Sequence, residues 1–194
     1  RYGAGVDIEE IKKPRNRIEL NIEVDEGKSA TIESINIIGN ELFSNEELLE
    51  GFELSAGSFF SFLSNDNAYS REKLKGDIES LESFSLNRGY LKFSIESSQI
   101  NLSQDKKSIF INFNIFEGDQ YIVNDVEVVG DLPFEESLYE GITNSLKDKV
   151  YSQAQITSIE EFFTNVLGNQ GYAFAEVSGS PEIDDDSQDV KLIF

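Results

Sequence analysis

The apolar positions change period along the chain, and the changes recur. In "ATIESINIIG" Ile35 and Ile37 alternate with polar residues, and a Gly-Asn turn follows. That is the period of a half-buried strand. A short helix is predicted after Ser44. Ser44 and Glu47 stand three apart as a capping box, and Leu48, Leu49 and Phe52 supply an apolar stripe. A second helix is predicted from Ser70 as N-cap, with Tyr69 and Leu74 at the two positions of a hydrophobic staple. Leu74, Ile78, Leu81 and Phe84 keep helical spacing up to Gly89, which stands where a helix-ending glycine takes positive φ. Two strands then follow, "YLKFSIESSQINL" and "SIFINFNIFEG", joined by "SQDKK". In the second, Ile109, Ile111, Phe113 and Ile115 alternate with Ser108, Phe110, Asn112, Asn114 and Phe116, which implies one covered face. The order is β-α-α-β-β.

The same order occurs again, and internal repeats define a fold before any single element does. Ile35, Ile37, Ile38, Gly39 and Asn40 recur as Val126, Val128, Val129, Gly130 and Asp131, an offset of 91 that Gly27 and Gly118 share. Tyr69, Ser70, Gly89 and Tyr90 recur as Tyr151, Ser152, Gly171 and Tyr172, an offset of 82. The difference, 91 − 82 = 9, places a nine-residue excess of the first copy between Gly39 and Tyr69, where "GSFFSFLSND" stands. In the second copy Ser152 and Gln155 read as a capping box, Tyr151 and Ile156 as a staple, and Ile156, Ile159, Phe163 and Val166 as the stripe. Residues 1–27 parallel 89–118. The expected organisation is the tail of one unit at 1–27, a complete unit at 28–117 and a further unit at 118–194. The chain opens without Met on strand-like residues and closes inside what should be a last strand. Both ends therefore read as cut from a longer protein, with the last sheet edge incomplete.

Composition narrows the function. Net charge is −21, with 37 acidic residues against 16 basic. That balance repels nucleic acid and anionic lipid headgroups. Hydrophobic residues make up 39%, enough for a core. His and Cys are absent, which removes thiol nucleophiles, imidazole bases and the usual nitrogen and sulfur metal ligands. No spacing selects a carboxylate pair either. No enzyme, catalytic residue or cofactor is expected. The acidic run "EIDDDSQD" at 182–189 lacks the Asp-x-Asp-x-Asp-Gly spacing of a calcium loop, so no metal is expected. No apolar run approaches the ~20 residues of a membrane-spanning helix. "SFFSFL" at 58–63 is either a client-binding loop or a satellite cluster packed over the first helix or a domain junction, and the packing reading is favoured.

"SINIIGNELFSNEELL", "LNRGY" with "EGDQY", and "NQGYAFAEV" together resemble the POTRA domain, the periplasmic module found ahead of outer-membrane β-barrels. More narrowly they resemble the POTRA arm of the BamA family of barrel-assembly factors, over essentially the whole chain. The resemblance implies an α+β fold of tandem POTRA domains. Each is β-α-α-β-β, with a three-stranded mixed sheet covered on one face by two helices, the last strand central and the "GYLKFSIESSQI" strand at an edge. In the family's order, 1–27 is the end of a second-like domain, 28–117 a third-like domain and 118–194 a fourth-like domain. The resemblance implies the periplasm of a Gram-negative cell. It implies a scaffold that docks accessory lipoproteins and guides unfolded outer-membrane proteins by β-strand addition. The partner-binding residues would be Phe93, Ser94, Ile95, Glu96, Ser97, Ser98 and Gln99 on the edge, with Phe52 and Leu54 at the adjacent helix end. A BamB-like β-propeller lipoprotein would share that edge. No nucleic-acid partner and no direct membrane insertion are expected. The alternatives are the POTRA arm of a two-partner secretion or translocation barrel, and a purely structural spacer. The serines also allow an edge kept polar against aggregation.

Overall fold

Strand β5 (Ser108–Phe116) carries the cleanest alternation in the chain, and one sheet is built around it. Ile109, Ile111, Phe113 and Ile115 are buried, whereas Phe110 and Phe116 are exposed. β3 (Thr31–Ile38) runs parallel to β5 with Ile35 beside Ile111 and Ile37 beside Phe113. β4 (Ser94–Leu102) lies on the other side, giving the order β3-β5-β4. The last strand in sequence is therefore central and β4 is at an edge. Helices α1 (Asn45–Leu49) and α2 (Arg71–Leu86) fall between β3 and β4 in the chain. The capping box of α1 forms: the Ser44 N–H donates to Glu47 Oε2 at 2.8 Å and the Glu47 N–H to Ser44 Oγ at 3.3 Å.

The order repeats as β6 (Ile122–Glu127), α3 (Glu136–Leu146), β7 (Lys149–Val150), α4 (Gln153–Asn169), β8 (Ser180–Asp184) and β9 (Asp189–Ile193). This sheet has four strands, in the order β7-β6-β9-β8, not the expected three. The extra strand, β7, pairs antiparallel with β6. Asp148 makes it possible by taking positive φ (59°) and donating its N–H to the Val123 carbonyl at 2.8 Å, which turns the chain back. β9 is paired on both sides, and the ladder continues through Phe194, whose N–H donates to the Glu127 carbonyl at 2.8 Å. β1 (Gly5–Lys13) and β2 (Arg17–Asp25) form a separate antiparallel hairpin. Val6, Ile8, Ile18, Leu20, Ile22 and Val24 share one face of it and are exposed.

The computed structural model describes residues 5–15, 17–25, 30–56, 69–130, 133 and 135–194. The "SFFSFL" loop at 58–63 lies outside the described residues. Contacts divide the chain into two compact units: Arg1–Ile38 with Glu50–Ile78 and Glu96–Asn114, and Gly39–Leu49 with Glu79–Ile95 and Ile115–Phe194. Ala30, Ile32, Ile37, Leu54, Leu74, Ile109, Ile111 and Phe113 form the core of the first. In the second, Tyr121, Val123, Val126, Tyr151, Ile156, Val190 and Leu192 form one buried cluster, with Leu91 packed against it.

Two features of the second unit hold the segment after β3. The Glu117 carboxylate is buried and accepts the N–H groups of Glu41, Leu42 and Phe43 at 2.9, 2.9 and 3.3 Å. Phe43 is thereby set edge-on against Phe84 and Tyr90, with ring centroids 5.1 and 5.3 Å away. Gly39 starts this segment at φ +92°, and a Cβ there would lie 2.2 Å from the Ile115 carbonyl oxygen. Gly171 has a similar φ, +99°, but nothing within 4 Å of a Cβ. Both carry backbone strain when substituted; only Gly39 adds a clash with main chain. Gly39→Ala is expected to cost roughly 3 kcal/mol or more in urea unfolding, and Gly171→Ala roughly 1–2 kcal/mol. Equal losses would show that the close approach to Ile115 contributes nothing.

Candidate functional site: an open sheet edge

β4 is nine residues long and contains neither proline nor glycine. β5 takes the hydrogen bonds of one side of it; no strand pairs with the other side among the described residues. Such an edge offers a row of main-chain donors and acceptors. Ser94, Glu96, Ser97, Ser98 and Gln99 are exposed, and Ile95 is half-buried. Small polar side chains leave the backbone reachable. On the open face of the sheet, Asn114 Nδ2 donates to Glu96 Oε2 at 2.7 Å and Asn36 Nδ2 to Asn112 Oδ1 at 2.9 Å. These side-chain pairs tie the three strands together across their polar face. The hairpin end of β4 is also held. Ser103 Oγ donates to Asp105 Oδ1 at 2.6 Å and accepts the Ser108 N–H at 2.9 Å. The Ser103 hydroxyl, then the Lys107 N–H, keeps the Asp105 carboxyl below its ordinary range.

The remaining sequence-predicted contacts fall elsewhere. Phe93 lies just outside β4 and is half-buried. The chain after Gly89 does not enter the strand at once: the Phe93 N–H closes a turn onto the Tyr90 carbonyl at 3.1 Å, and pairing starts at Ser94. Phe52 is half-buried, its ring edge-on to Phe113 of the central strand at 6.1 Å. Leu54 is a correction to the expected surface contact. It is only 2% exposed, and its N–H donates to buried Asp77 Oδ2 at 3.1 Å while Glu53 N–H donates to Oδ1 at 2.6 Å. Its side chain belongs to the core and has no surface to offer. Burial pushes the Asp77 carboxyl up, opposed by these two N–H groups.

The family model for POTRA, described as a surface antigen variable number repeat, matches residues 30–118 and again 121–194. The chain belongs to the POTRA family. Among its relatives, the outer membrane protein assembly factor BamA of Neisseria meningitidis is 30% identical over 88% of this chain. BamA of Buchnera aphidicola is 29% identical over 97%. The chain spans 22% and 31% of the length of these relatives. The crystal structure of Haemophilus influenzae BamA POTRA3-5 shares the fold, with a TM-score of 0.71, 24% identity, 86% of this chain covered and 65% of that one. No helix among the described residues is long and apolar enough to cross a membrane.

The two POTRA copies carry unequal edges. β8 occupies the place of β4 in the second copy, but it has five residues and Pro181 among them. Proline removes a donor, and a short edge offers few partners. The acidic turn beside it is built for its own closure. Asp184 Oδ1 accepts the Asp186 N–H at 3.0 Å, and Asp185 Oδ1 accepts the Tyr121 hydroxyl at 2.8 Å and the Lys92 ammonium at 2.5 Å.

Lys92 is one of several residues, C-terminal to α2, that grip the second POTRA copy, all within the second compact unit. The Tyr121 N–H donates to the Gly89 carbonyl at 2.9 Å, and Gln120 Nε2 to the Arg88 carbonyl at 2.9 Å. Gly89 has φ +88°, and a Cβ there would meet Val150 Cγ1 at 2.7 Å and the Tyr121 carbonyl oxygen at 3.0 Å. Asn87 Oδ1 accepts the Ala154 N–H at 2.7 Å, at the first turn of α4. The expected cap, Ser152, makes no side-chain cap bond. The helix is capped instead by an asparagine 67 residues away in the chain. Sequence reasoning missed this role. The signal present was the recurrence of Asn two residues before each Gly-Tyr pair, at 87 and at 169.

The ion pair supplies a pH test. The Lys92 ammonium, then the Tyr121 hydroxyl, holds the Asp185 carboxyl below its usual value of 3.8. A depressed acid stabilises the fold above its unfolded pKa, and that support is lost as pH falls through the lower folded value. Asp185→Asn is therefore expected to lower the unfolding midpoint at neutral pH. The gap to the parent should close as pH falls below about 4. A gap independent of pH would remove the ion pair from the account.

Proposed function

We propose that this chain is part of a non-enzymatic periplasmic scaffold of outer-membrane protein assembly. It would hold unfolded outer-membrane proteins, and dock an accessory β-propeller lipoprotein of the BamB kind, by strand addition along β4. In the family's order, 28–117 is third-like, 118–194 fourth-like, and the β1–β2 hairpin the end of a second-like domain. The single observation that carries the reading is the contrast of edges: β4 has nine proline-free residues whose outer side pairs with no strand among the described residues, while β8 is short and interrupted by Pro181. Added strands bind through main-chain hydrogen bonds, so clients of many sequences are accepted. Each bond contributes only about 0.5–1.5 kcal/mol net, which gives weak, reversible holding suited to hand-over.

A structural spacer is the second reading, and the interlocking of residues 87–92 with residues 120–185 favours it. One titration separates the two. Unfolded barrel peptides should move the amide signals of residues 94–102 and leave those of 180–184 in place; a spacer gives no shifts on either edge. Prolines placed singly at Ser97 and Ser98 sharpen the test, because neighbouring N–H groups of a strand point to opposite sides. The substitution that removes an inward N–H should destabilise the sheet. The other should leave the fold intact and weaken peptide binding several-fold. Full binding in both folded variants would rule out strand addition at β4.

A further inference from the structure

The clamp that Glu117 makes on residues 41–43 leaves two large apolar side chains in the open. Leu42 is 59% exposed, and Phe116, the last residue of β5, is 51% exposed. Both line a hollow of about 500 Å³ whose other walls are Gly39, Glu41, Glu117, Gly118 and Asp119, all in the second compact unit. Apolar residues scattered singly on a surface are ordinary, whereas an apolar patch with a polar rim marks an interaction site. Gly118, at φ +74°, has no Cβ to fill this space, and the Phe116 ring lies 3.5 Å from where one would stand. At the offset of 91 Leu42 becomes Pro133, so the second copy does not repeat the pair.

The hollow is firmly framed, and its main-chain donors are already used. The N–H groups of Glu41, Leu42 and Phe43 converge on the Glu117 carboxylate at 2.9, 2.9 and 3.3 Å. A bound anion would find no free donor among them. Behind this segment the Phe43 ring is wedged against Phe84 and Tyr90, and Gly39 is packed on the Ile115 carbonyl. A frame held at so many points loses little freedom on binding. The rim is negative. Glu41 comes from the segment after β3 and Asp119 from the chain after β5, and both are exposed. Among the described residues no ion pair engages either carboxylate; Lys92, which lies against Gly118, is committed to Asp185.

We propose that this hollow docks a segment of another protein in which an apolar side chain is flanked by lysine or arginine. The apolar side chain covers Leu42 and Phe116, and the flanking cations meet Glu41 and Asp119. Charge selects the occupant. A second copy of this chain carries −21 and would bring like charge to the rim. An anionic membrane is repelled by the same rim. The proposal does not depend on what β4 binds.

The test titrates the intact chain with a fluorescent peptide in which one phenylalanine stands between two pairs of lysines, and reads anisotropy and amide shifts. Saturable binding is expected, with shifts centred on residues 39–43 and 116–119. Leu42→Ser and Phe116→Ser change exposed side chains, so each should keep the fold and weaken binding several-fold. Glu41→Gln combined with Asp119→Asn should weaken it too, and so should high salt. Exchanging the peptide's phenylalanine for serine, or its lysines for glutamates, should abolish the shifts. Shifts on residues 94–102 in place of these, binding that survives loss of both Leu42 and Phe116, or equal binding of either control peptide would overturn the proposal. So would self-association of the chain, or adsorption to anionic vesicles, that Phe116→Ser removes.

Discussion

At Gly89 the turn after α2 lies against the Val150 side chain and the Tyr121 main chain with little room for a side chain of its own. The carbonyl takes the Tyr121 N–H at 2.9 Å, and the α-carbon faces Val150 and the Tyr121 carbonyl. Only a glycine relieves both the left-handed φ and the crowding. Around this contact the other interactions fall into place. Asn87 caps α4, Leu91 enters the buried cluster around Tyr121 and Val190, and Lys92 meets Asp185. After one further turn, closed by the Phe93 N–H on the Tyr90 carbonyl, the chain enters β4. The residue that ends one helix thus also fastens the next repeat and leads toward the exposed edge.

Two copies of one repeat can share a fold and differ in use because the edge is the least constrained part of the sheet. Central strands are held from both sides; β5 and β9 keep strict burial alternation. The edge strands do not have to match. β4 is long and regular, with side chains that crowd little. β8 is short, contains Pro181 and leads into a turn whose carboxylates are engaged by Asp186, Tyr121 and Lys92. A protein of net charge −21 also keeps this second edge strongly acidic, which discourages chance pairing with other chains.

Most of the fold was legible because it rests on local periods. The alternation in β5, the Ser44–Glu47 box and the stripe from Leu74 to Phe84 depend on residues a few positions apart. The parts that were not legible depend on distant partners. The cap of α4 comes from Asn87, so the Ser152 and Gln155 pattern pointed to a box that does not form. Leu54 looks like surface in the sequence because nothing near it shows that Asp77 binds its N–H. β7 is two residues long and arises from the turn at Asp148, too short to have a period. Pro181, by contrast, was in plain view; what was missing was the comparison of the two edges that gives it meaning.

The central claim is that β4, and not its counterpart, is the rail for an added strand. The most direct measurement is a set of intermolecular nuclear Overhauser contacts between the isotope-labelled chain and an unlabelled peptide from an outer-membrane barrel strand. The account predicts a ladder of backbone contacts along residues 94–102, in alternating register. A ladder along β8, or contacts confined to side chains with no backbone ladder, would contradict it.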